Sequence, residues 1–263
     1  KDVMLVFTGS DWNDESKHLA ESVFTGEFFA KASKKFILCN IDVLRDESLV
    51  EQDIREKNYQ AASRFAVQQI PSIFLITTEK DVYGVFSTES ANSDLASFFD
   101  RVDSFSDKRE LLVGLKDKIQ NSTGPEKAGY MDQFLEALYP LQRDTYRQYV
   151  EEITRIDEDG TAGLGPKYLL QLQYLRAMDL YQEDNLEAAG EGFFALAKSG
   201  KLDPAKKQEA LYMGAYMYAM SETVPETRLI EWLEEAITAD PENPGVLQIQ
   251  TMIDRLSQPE ASR

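Results

Sequence analysis

The chain of 263 residues contains a single cysteine, Cys39, and a single histidine, His18. One thiol excludes an intramolecular disulfide and a zinc site built from several cysteines, but it does not identify a cellular compartment. No apolar run approaches the roughly 18 residues of a membrane-spanning helix, so we expect no membrane insertion. Basic residues are also few: 28 lysines and arginines accompany 46 aspartates and glutamates, and the net charge is −18. An acidic surface of this kind argues against nucleic acid and anionic membranes as partners.

An initiator methionine and a signal peptide are absent from the start, where Lys1 leads almost directly into an apolar run. We therefore interpret the sequence as a mature or shortened chain. Its hydrophobic residues make up 43% of the total. That share and this length allow a substantial core and indicate one large or two ordinary domains.

The stretch of residues 3–17 is the one around which the first part of the chain is organised. Residues 3–7 form a short apolar run typical of a buried strand, and residues 8–10, Thr-Gly-Ser, are a turn signal. Asp11 and Trp12 follow, and a polar segment then leads into a helical pattern over residues 17–33. We predict a strand, a loop and a helix N-terminus, whose first backbone N–H groups are unpaired and partly positive.

Further strands are predicted downstream. Residues 36–43 alternate between two largely apolar faces, which favours a central strand covered on both sides, with Cys39 as a small buried hydrophobe. Residues 72–77 and 82–86 predict an antiparallel hairpin turning around residues 79–81. The intervening and following segments are predicted as a loop or short helix at 44–58, a helix at 59–67 and a closing helix at 94–105.

From residue 108 onward the sequence pattern predicts helices only. They fall at about 108–120, 127–139, 142–156, 167–183, 186–199, 204–220, 226–239 and 245–256, with glycine or proline in the breaks between them. The end of one helix pair, residues 239–244, resembles the end of a tetratricopeptide repeat. The corresponding positions Ala189 and Leu229 are 40 residues apart (229 − 189), whereas the usual period is about 34. We therefore describe this region as tetratricopeptide-like.

Two motifs resemble the thioredoxin-like family. Residues 7–12, Phe-Thr-Gly-Ser-Asp-Trp, are similar to the loop that carries the family's active site, and residues 69–76, Gln-Ile-Pro-Ser-Ile-Phe-Leu-Ile, resemble its cis-proline loop and the following strand. Together with the helical pattern from residue 108 onward, the resemblance predicts an α/β plus all-α chain. Residues 1–104 would form a three-layer α/β/α thioredoxin-like domain that lacks its first elements, and residues 105–263 an α-helical tetratricopeptide-like domain. Bacterial relatives with this loop are mostly envelope proteins, which implies an extracytoplasmic location in the periplasm or cell envelope.

The reactive sulfurs of that family are missing. Where the family has Cys-x-x-Cys, this chain has Asn13-Asp14-Glu15-Ser16. Thiol–disulfide exchange needs a thiolate and a second sulfur to resolve the mixed disulfide, so we expect no redox activity. A serine without a general base is not a nucleophile near neutral pH, and His18 would face away from Ser16 on a helix. No catalytic residue, metal or cofactor is expected.

Acidic residues cluster at this loop, and two interpretations of them remain open. Asp11, Asp14 and Glu15 offer the oxygen ligands that hard cations favour. Alternatively, Asn13 or Asp14 caps the helix, since acidic groups are stabilised at a helix N-terminus.

Two functional hypotheses follow. The first is a redox-inactive scaffold that binds a protein or peptide partner in a groove lined by Trp12, Asn13, Ser16, Ile70 and Pro71. The helical half would add a second surface at Tyr212, Tyr216 and Met217, residue types that suit adaptable contacts but are more common in a core. The second hypothesis is an enzyme of another class, with Asp14 or Glu15 as the acid–base group. The sequence does not indicate the oligomeric state.

Overall fold

The computed structural model describes residues 1–88 and 94–258. The chain divides into two compact units. The first comprises Lys1–Ser122 and Gln133–Thr145, and the second comprises Thr123–Asp132 and Tyr146–Arg263. The first unit thus extends past residue 104, the boundary expected from the sequence.

Four strands form the sheet of the first unit. They are β1 (Asp2–Thr8), β2 (Phe36–Asp42), β3 (Ser72–Ile76) and β4 (Val82–Ser87). Their order across the sheet is β2-β1-β3-β4. β1 runs parallel to β2 and antiparallel to β3, and β3 and β4 form the predicted antiparallel hairpin. The hairpin turns through Lys80, which has a positive φ of 73°.

The position of β2 differs from the prediction. It pairs with β1 on one side only and is an edge strand of the described sheet. Ile37 is 57% exposed, and Cys39 is exposed as well. The predictions of a central strand and of a buried Cys39 were therefore wrong. Apolar alternation reports which side chains could be covered, but it carries no information about a neighbouring strand.

Among the described residues, five α-helices belong wholly to the first unit: α1 (Asp14–Ser22), α2 (Gly26–Lys35), α3 (Gln52–Arg64), α4 (Leu95–Asp103) and α5 (Ser106–Asn121). The single helix predicted over residues 17–33 is two helices, because Thr25 caps a new one by accepting from the Phe28 N–H at 3.5 Å. α3 begins inside the segment predicted as a loop or short helix. On one side of the sheet, Phe7 and Phe74 contact Phe65 from the α3 C-terminus with ring centroids 5.1–5.6 Å apart.

The remaining helices are α6 (Gly124–Ala137), which crosses the division between the units, and α7–α12 of the second unit: α7 (Arg147–Ile156), α8 (Gly165–Gln182), α9 (Leu186–Lys198), α10 (Pro204–Ser221), α11 (Glu226–Ala239) and α12 (Val246–Leu256). From α7 to α12 each helix packs on the next. Their core includes the fully buried Phe193, Leu211 and Leu233. Among the helices of residues 1–88 and 94–258, none has the length and hydropathy of a transmembrane segment.

Candidate functional site

The two motifs singled out in the sequence meet at one end of the sheet. β1 ends at Thr8, and α1 begins six residues later at Asp14. In the antiparallel pairing of β1 with β3, Phe7 lies opposite Ser72. The loop after β1 and the segment before β3 therefore emerge side by side. The Ile70–Pro71 peptide bond is cis, as the resemblance implied.

Asn13 and Ser16, which occupy the positions of the missing cysteines, bind to each other. Asn13 is the N-cap of α1, and its Oδ1 accepts from the Ser16 backbone N–H at 2.7 Å and from the Ser16 hydroxyl at 2.9 Å. The Ser16 Oγ in turn accepts from the buried N–H of Gly9 at 3.1 Å. Ser16 is only 2% exposed. The Asn13 amide oxygen and the Ser16 hydroxyl therefore supply hydrogen-bond acceptors to the first turn of α1 and to the Gly9 N–H.

Trp12 is held on the β2 side of this corner between β1 and α1. Its indole N–H donates to the Val43 carbonyl oxygen at 2.8 Å, just beyond the end of β2. The Arg45 guanidinium lies 3.8 Å from the ring centroid. Gly9 lies so close to the ring that an added Cβ would be 2.5 Å from Trp12 Cε2. These contacts fix the ring in place with part of its surface still accessible.

The acidic residues of the loop do not converge on one point. Asp11 Oδ2 accepts from the N–H groups of Arg45 at 2.9 Å and Asp46 at 2.7 Å, which ties the corner to the loop after β2. The Asp14 side chain is 95% exposed and forms an ion pair with Lys17 at 3.1 Å. Within the described part of the chain, no three His, Cys, Asp or Glu side chains are grouped as metal ligands. Of the two residues considered for the cap, Asn13 is the one that forms it.

An open cavity adjoins the proline loop. It has a volume of 480 Å³ and is lined by residues 66–69, Ser72, Phe74, the end of β4 and residues 139–141. Pro71 is buried and Ile70 half-buried. No hydrogen bond joins the Ile70 backbone to any other residue in the described ranges. The Ile70 backbone N–H and carbonyl therefore lack hydrogen-bond partners in the described ranges, next to the cavity and just before β3 begins.

The second predicted surface lies in the helical unit. Tyr212 and Tyr216 stack on successive turns of α10 with ring centroids 6.3 Å apart. Tyr212 lines two cavities, of 520 and 450 Å³, and Tyr216 lines the second of them. Met217, in contrast, packs against the core of the unit.

Sequence reasoning missed two residues of this surface, Tyr174 on α8 and Gln248 on α12. Gln248 donates to the Tyr212 hydroxyl at 3.0 Å, and the Tyr174 hydroxyl donates to Glu209 at 2.8 Å. Burial, followed by the bond to Glu209, raises the pKa of Tyr174, so the phenol stays protonated. No local signal could have found these residues, because each contact joins helices that are separated in sequence by another helix.

The second unit also matches a known sequence family. Residues 164–262 match the family described as "Uncharacterised protein C-terminal domain". Over 238 residues the chain is 29% identical to an uncharacterized protein of Treponema pallidum (strain Nichols). That alignment covers 89% of this chain and 78% of the relative. The alignment therefore includes most residues of both units of this chain.

Thioredoxin-related proteins match a smaller part of the chain. The "Thioredoxin-related protein DsbJ" of Chlamydia pneumoniae is 27% identical over 95 residues, which are 35% of this chain and 27% of that protein. A solved structure named "DsbH Oxidoreductase" aligns with a TM-score of 0.36 and 22% identity, over 40% of this chain and 72% of that one. Part of the chain therefore has weak similarity to thioredoxin-related proteins.

Proposed function

We propose that the chain is a non-catalytic thioredoxin-like scaffold that binds an extended peptide or protein segment beside the Ile70–Pro71 bond. The observation that carries the proposal is the pairing of Asn13 with Ser16. These two residues stand where a Cys-x-x-Cys pair would react, and they offer an amide and a buried hydroxyl instead. Neither group can form or break a disulfide.

Binding is supported by the backbone that precedes β3. A peptide recognised by strand addition contributes its own N–H and carbonyl groups to an unpaired backbone, and pockets nearby select its side chains. The Ile70 backbone has no partner in the described part of the chain, and the 480 Å³ cavity lies next to it. None of the five predicted residues Trp12, Asn13, Ser16, Ile70 and Pro71 lines this cavity. In the proposal, Trp12 and Asn13 contact the peptide beyond the cavity, while the buried Ser16 holds the corner's shape.

The helical unit contributes the second surface in this proposal, at Tyr212 and Tyr216, with Met217 behind them in the core. Its successive packed helices are compatible with a tetratricopeptide-like array. Two binding surfaces in one chain raise the effective concentration of each for a partner that reaches both.

The alternative, an enzyme with Asp14 or Glu15 as the acid–base group, has less support. Such a group needs an enclosed site that perturbs its pKa. The Asp14 side chain is 95% exposed and already paired with Lys17. Helix capping and the helix dipole account for acidic residues at this point without a reaction.

An extracytoplasmic location also belongs to the proposal. The similarity of part of the chain to the thioredoxin-related protein DsbJ and the envelope setting implied by the loop motif support it. The acidic composition is compatible with this setting but does not favour it over others.

Photocrosslinking tests the binding proposal. Benzoylphenylalanine replaces Gln69, an exposed residue next to Ile70, and in a matched control replaces Lys57, whose side chain on α3 is 73% exposed. The probe is carboxymethylated insulin B chain, which is extended and carries no free thiol. We expect crosslinks from position 69 and none from position 57. Equal labelling from both positions, or none from position 69, would reject a peptide groove beside Pro71.

A further inference from the structure

The two cavities beside Tyr212 are neighbours, and we treat them together as one groove between α10 and α12. Both are lined by Tyr212 and Gln248, so they share a wall. The first extends toward Glu209 and Gly245, and the second toward Tyr216 and Arg255. From the first cavity to the second, the residue numbers of the lining residues increase on both α10 and α12, so the two helices run in the same direction along the groove. We call this groove the tyrosine groove.

The walls of the tyrosine groove are partly aromatic and include the hydroxyl groups of Tyr212 and Tyr216. Tyr216 is 39% exposed and stacks on Tyr212. The Tyr212 oxygen accepts from Gln248, which leaves the Tyr212 hydroxyl proton to point elsewhere. Ring faces and hydroxyl donors suit a ligand that offers compact apolar rings and unpaired carbonyl oxygens. A polyproline-II peptide has both, because it has no internal hydrogen bonds and its carbonyls are exposed.

The two ends of the tyrosine groove carry opposite charges. Glu209 lines one end, where it accepts a hydrogen bond from Tyr174, and Arg255 lines the other. Neither charge is in an ion pair with another residue in the described part of the chain. Lys206, which also lines the Glu209 end, is paired with Asp203 at 2.7 Å. A bound ligand with a cation at the first end and an anion at the second would complement both open charges.

From this geometry we propose that the tyrosine groove binds a polyproline-II peptide that carries a basic and an acidic side chain on either side of a proline run. The hydrogen bond between Gln248 and Tyr212 places these two residues at the same level of the groove. Glu209 lies three residues before that level on α10 and Arg255 seven residues beyond it on α12, so the two charges are roughly 15 Å apart along the groove. A polyproline-II chain advances about 3.1 Å per residue, so about four residues separate the two charged residues of the peptide. This inference rests on the proposed function, because it names the ligand chemistry of the second surface.

Two short peptides of opposite order test the proposal on the full chain. They are acetyl-Lys-Pro-Pro-Pro-Pro-Glu-amide and acetyl-Glu-Pro-Pro-Pro-Pro-Lys-amide, each fluorescently labelled and titrated by anisotropy. We expect one order to bind at least about tenfold more tightly, because only one direction places both charges correctly; a tenfold ratio corresponds to about 1.4 kcal/mol. In the double variant Glu209→Lys/Arg255→Glu the preference should invert. Both charges lie on helix surfaces, so the inverted preference itself shows that the variant is folded.

Further variants separate the parts of the proposal. Tyr216→Ala should lower the affinity for the preferred peptide, while Tyr181→Ala, which removes a 55% exposed tyrosine outside the groove, should not. Replacement of the four prolines by glycine should weaken binding as well. Equal affinity of the two orders, a preference that does not invert, or equal binding of the glycine peptide would overturn the proposal.

The peptide-binding result for the tyrosine groove can be separated from the crosslinking result for the first unit. Crosslinking from position 69 should be unchanged in Glu209→Lys/Arg255→Glu, since both substitutions lie in the second unit. Failure at position 69 with intact binding in the tyrosine groove would reject the proposed site beside Pro71 and leave this inference standing. The reverse result would reject the inference alone.

Discussion

Replacing Ser16 by alanine tests whether the Ser16 hydroxyl stabilises the loop between β1 and α1. The Ser16 Oγ has two hydrogen bonds, one donated to Asn13 and one accepted from the Gly9 N–H. Alanine fits the site, because it only removes an atom from a residue that is 2% exposed. The main consequence is a Gly9 N–H that stays buried without an acceptor.

The expected loss follows from that orphaned donor. A buried backbone group that loses its partner costs about 1–3 kcal/mol, and the hydrogen bond to Asn13 adds little, because the Asn13 Oδ1 retains the Ser16 N–H at 2.7 Å. We therefore predict that Ser16→Ala lowers the free energy of unfolding of the first unit by about 1–3 kcal/mol. The matched control is Ser22→Ala on the same helix, whose hydroxyl is exposed and contacts only His18. Its expected cost is below about 0.5 kcal/mol.

The chain offers a clean readout for this comparison. It has two tryptophans, Trp12 in the first unit and Trp232 in the second. In a Trp232→Phe background, urea unfolding followed by tryptophan fluorescence reports the first unit alone. A Ser16→Ala variant that unfolds at the same urea concentration as Ser22→Ala would refute the idea that the Ser16 hydroxyl stabilises this loop.

Three further predictions concern single positions. Cys39 should react stoichiometrically with Ellman's reagent in the native protein, since its side chain is exposed; reaction only after denaturation would place it in the core. Gly9→Ala should shift the emission of Trp12 in the same background, because a Cβ at 2.5 Å forces the indole to move; an unchanged spectrum would contradict this contact. Burial, followed by its hydrogen bond to Glu191, raises the pKa of Tyr218 from 10.0 to about 12. Protonated Tyr218 therefore stabilises the fold fully below pH 10, and this stabilisation is lost as the pH rises toward 12. Tyr218→Phe should reduce the decrease in the free energy of unfolding between these two pH values. The same decrease in both proteins would contradict the raised pKa.

Short-range sequence patterns were sufficient to predict the β3–β4 hairpin and the turn after β1. The strand pattern on both sides of residues 79–81 predicted β3 and β4, and the turn-forming residues after Phe7 predicted where β1 ends. The cis Ile70–Pro71 bond followed from the resemblance of the loop that contains it. These features depend on a few neighbouring residues, which is why the sequence alone could specify them.

Features that depend on distant partners could not be predicted in the same way. Cys39 is exposed on β2, and the alternation of the strand does not report whether another element covers that face of the sheet. The ring of Trp12 is fixed by Val43 and Arg45, more than thirty residues away. Gln248 meets Tyr212 only because α10 and α12 both border the same groove.

Reduction of insulin disulfides by the wild-type chain, with dithiothreitol as the recycling reductant and Cys39→Ser as the companion variant, tests the redox-inactive scaffold most directly. We predict that both proteins give the rate of a blank without protein, because Asn13 and Ser16 supply no sulfur. Turnover above that blank in the wild-type chain would contradict the central claim.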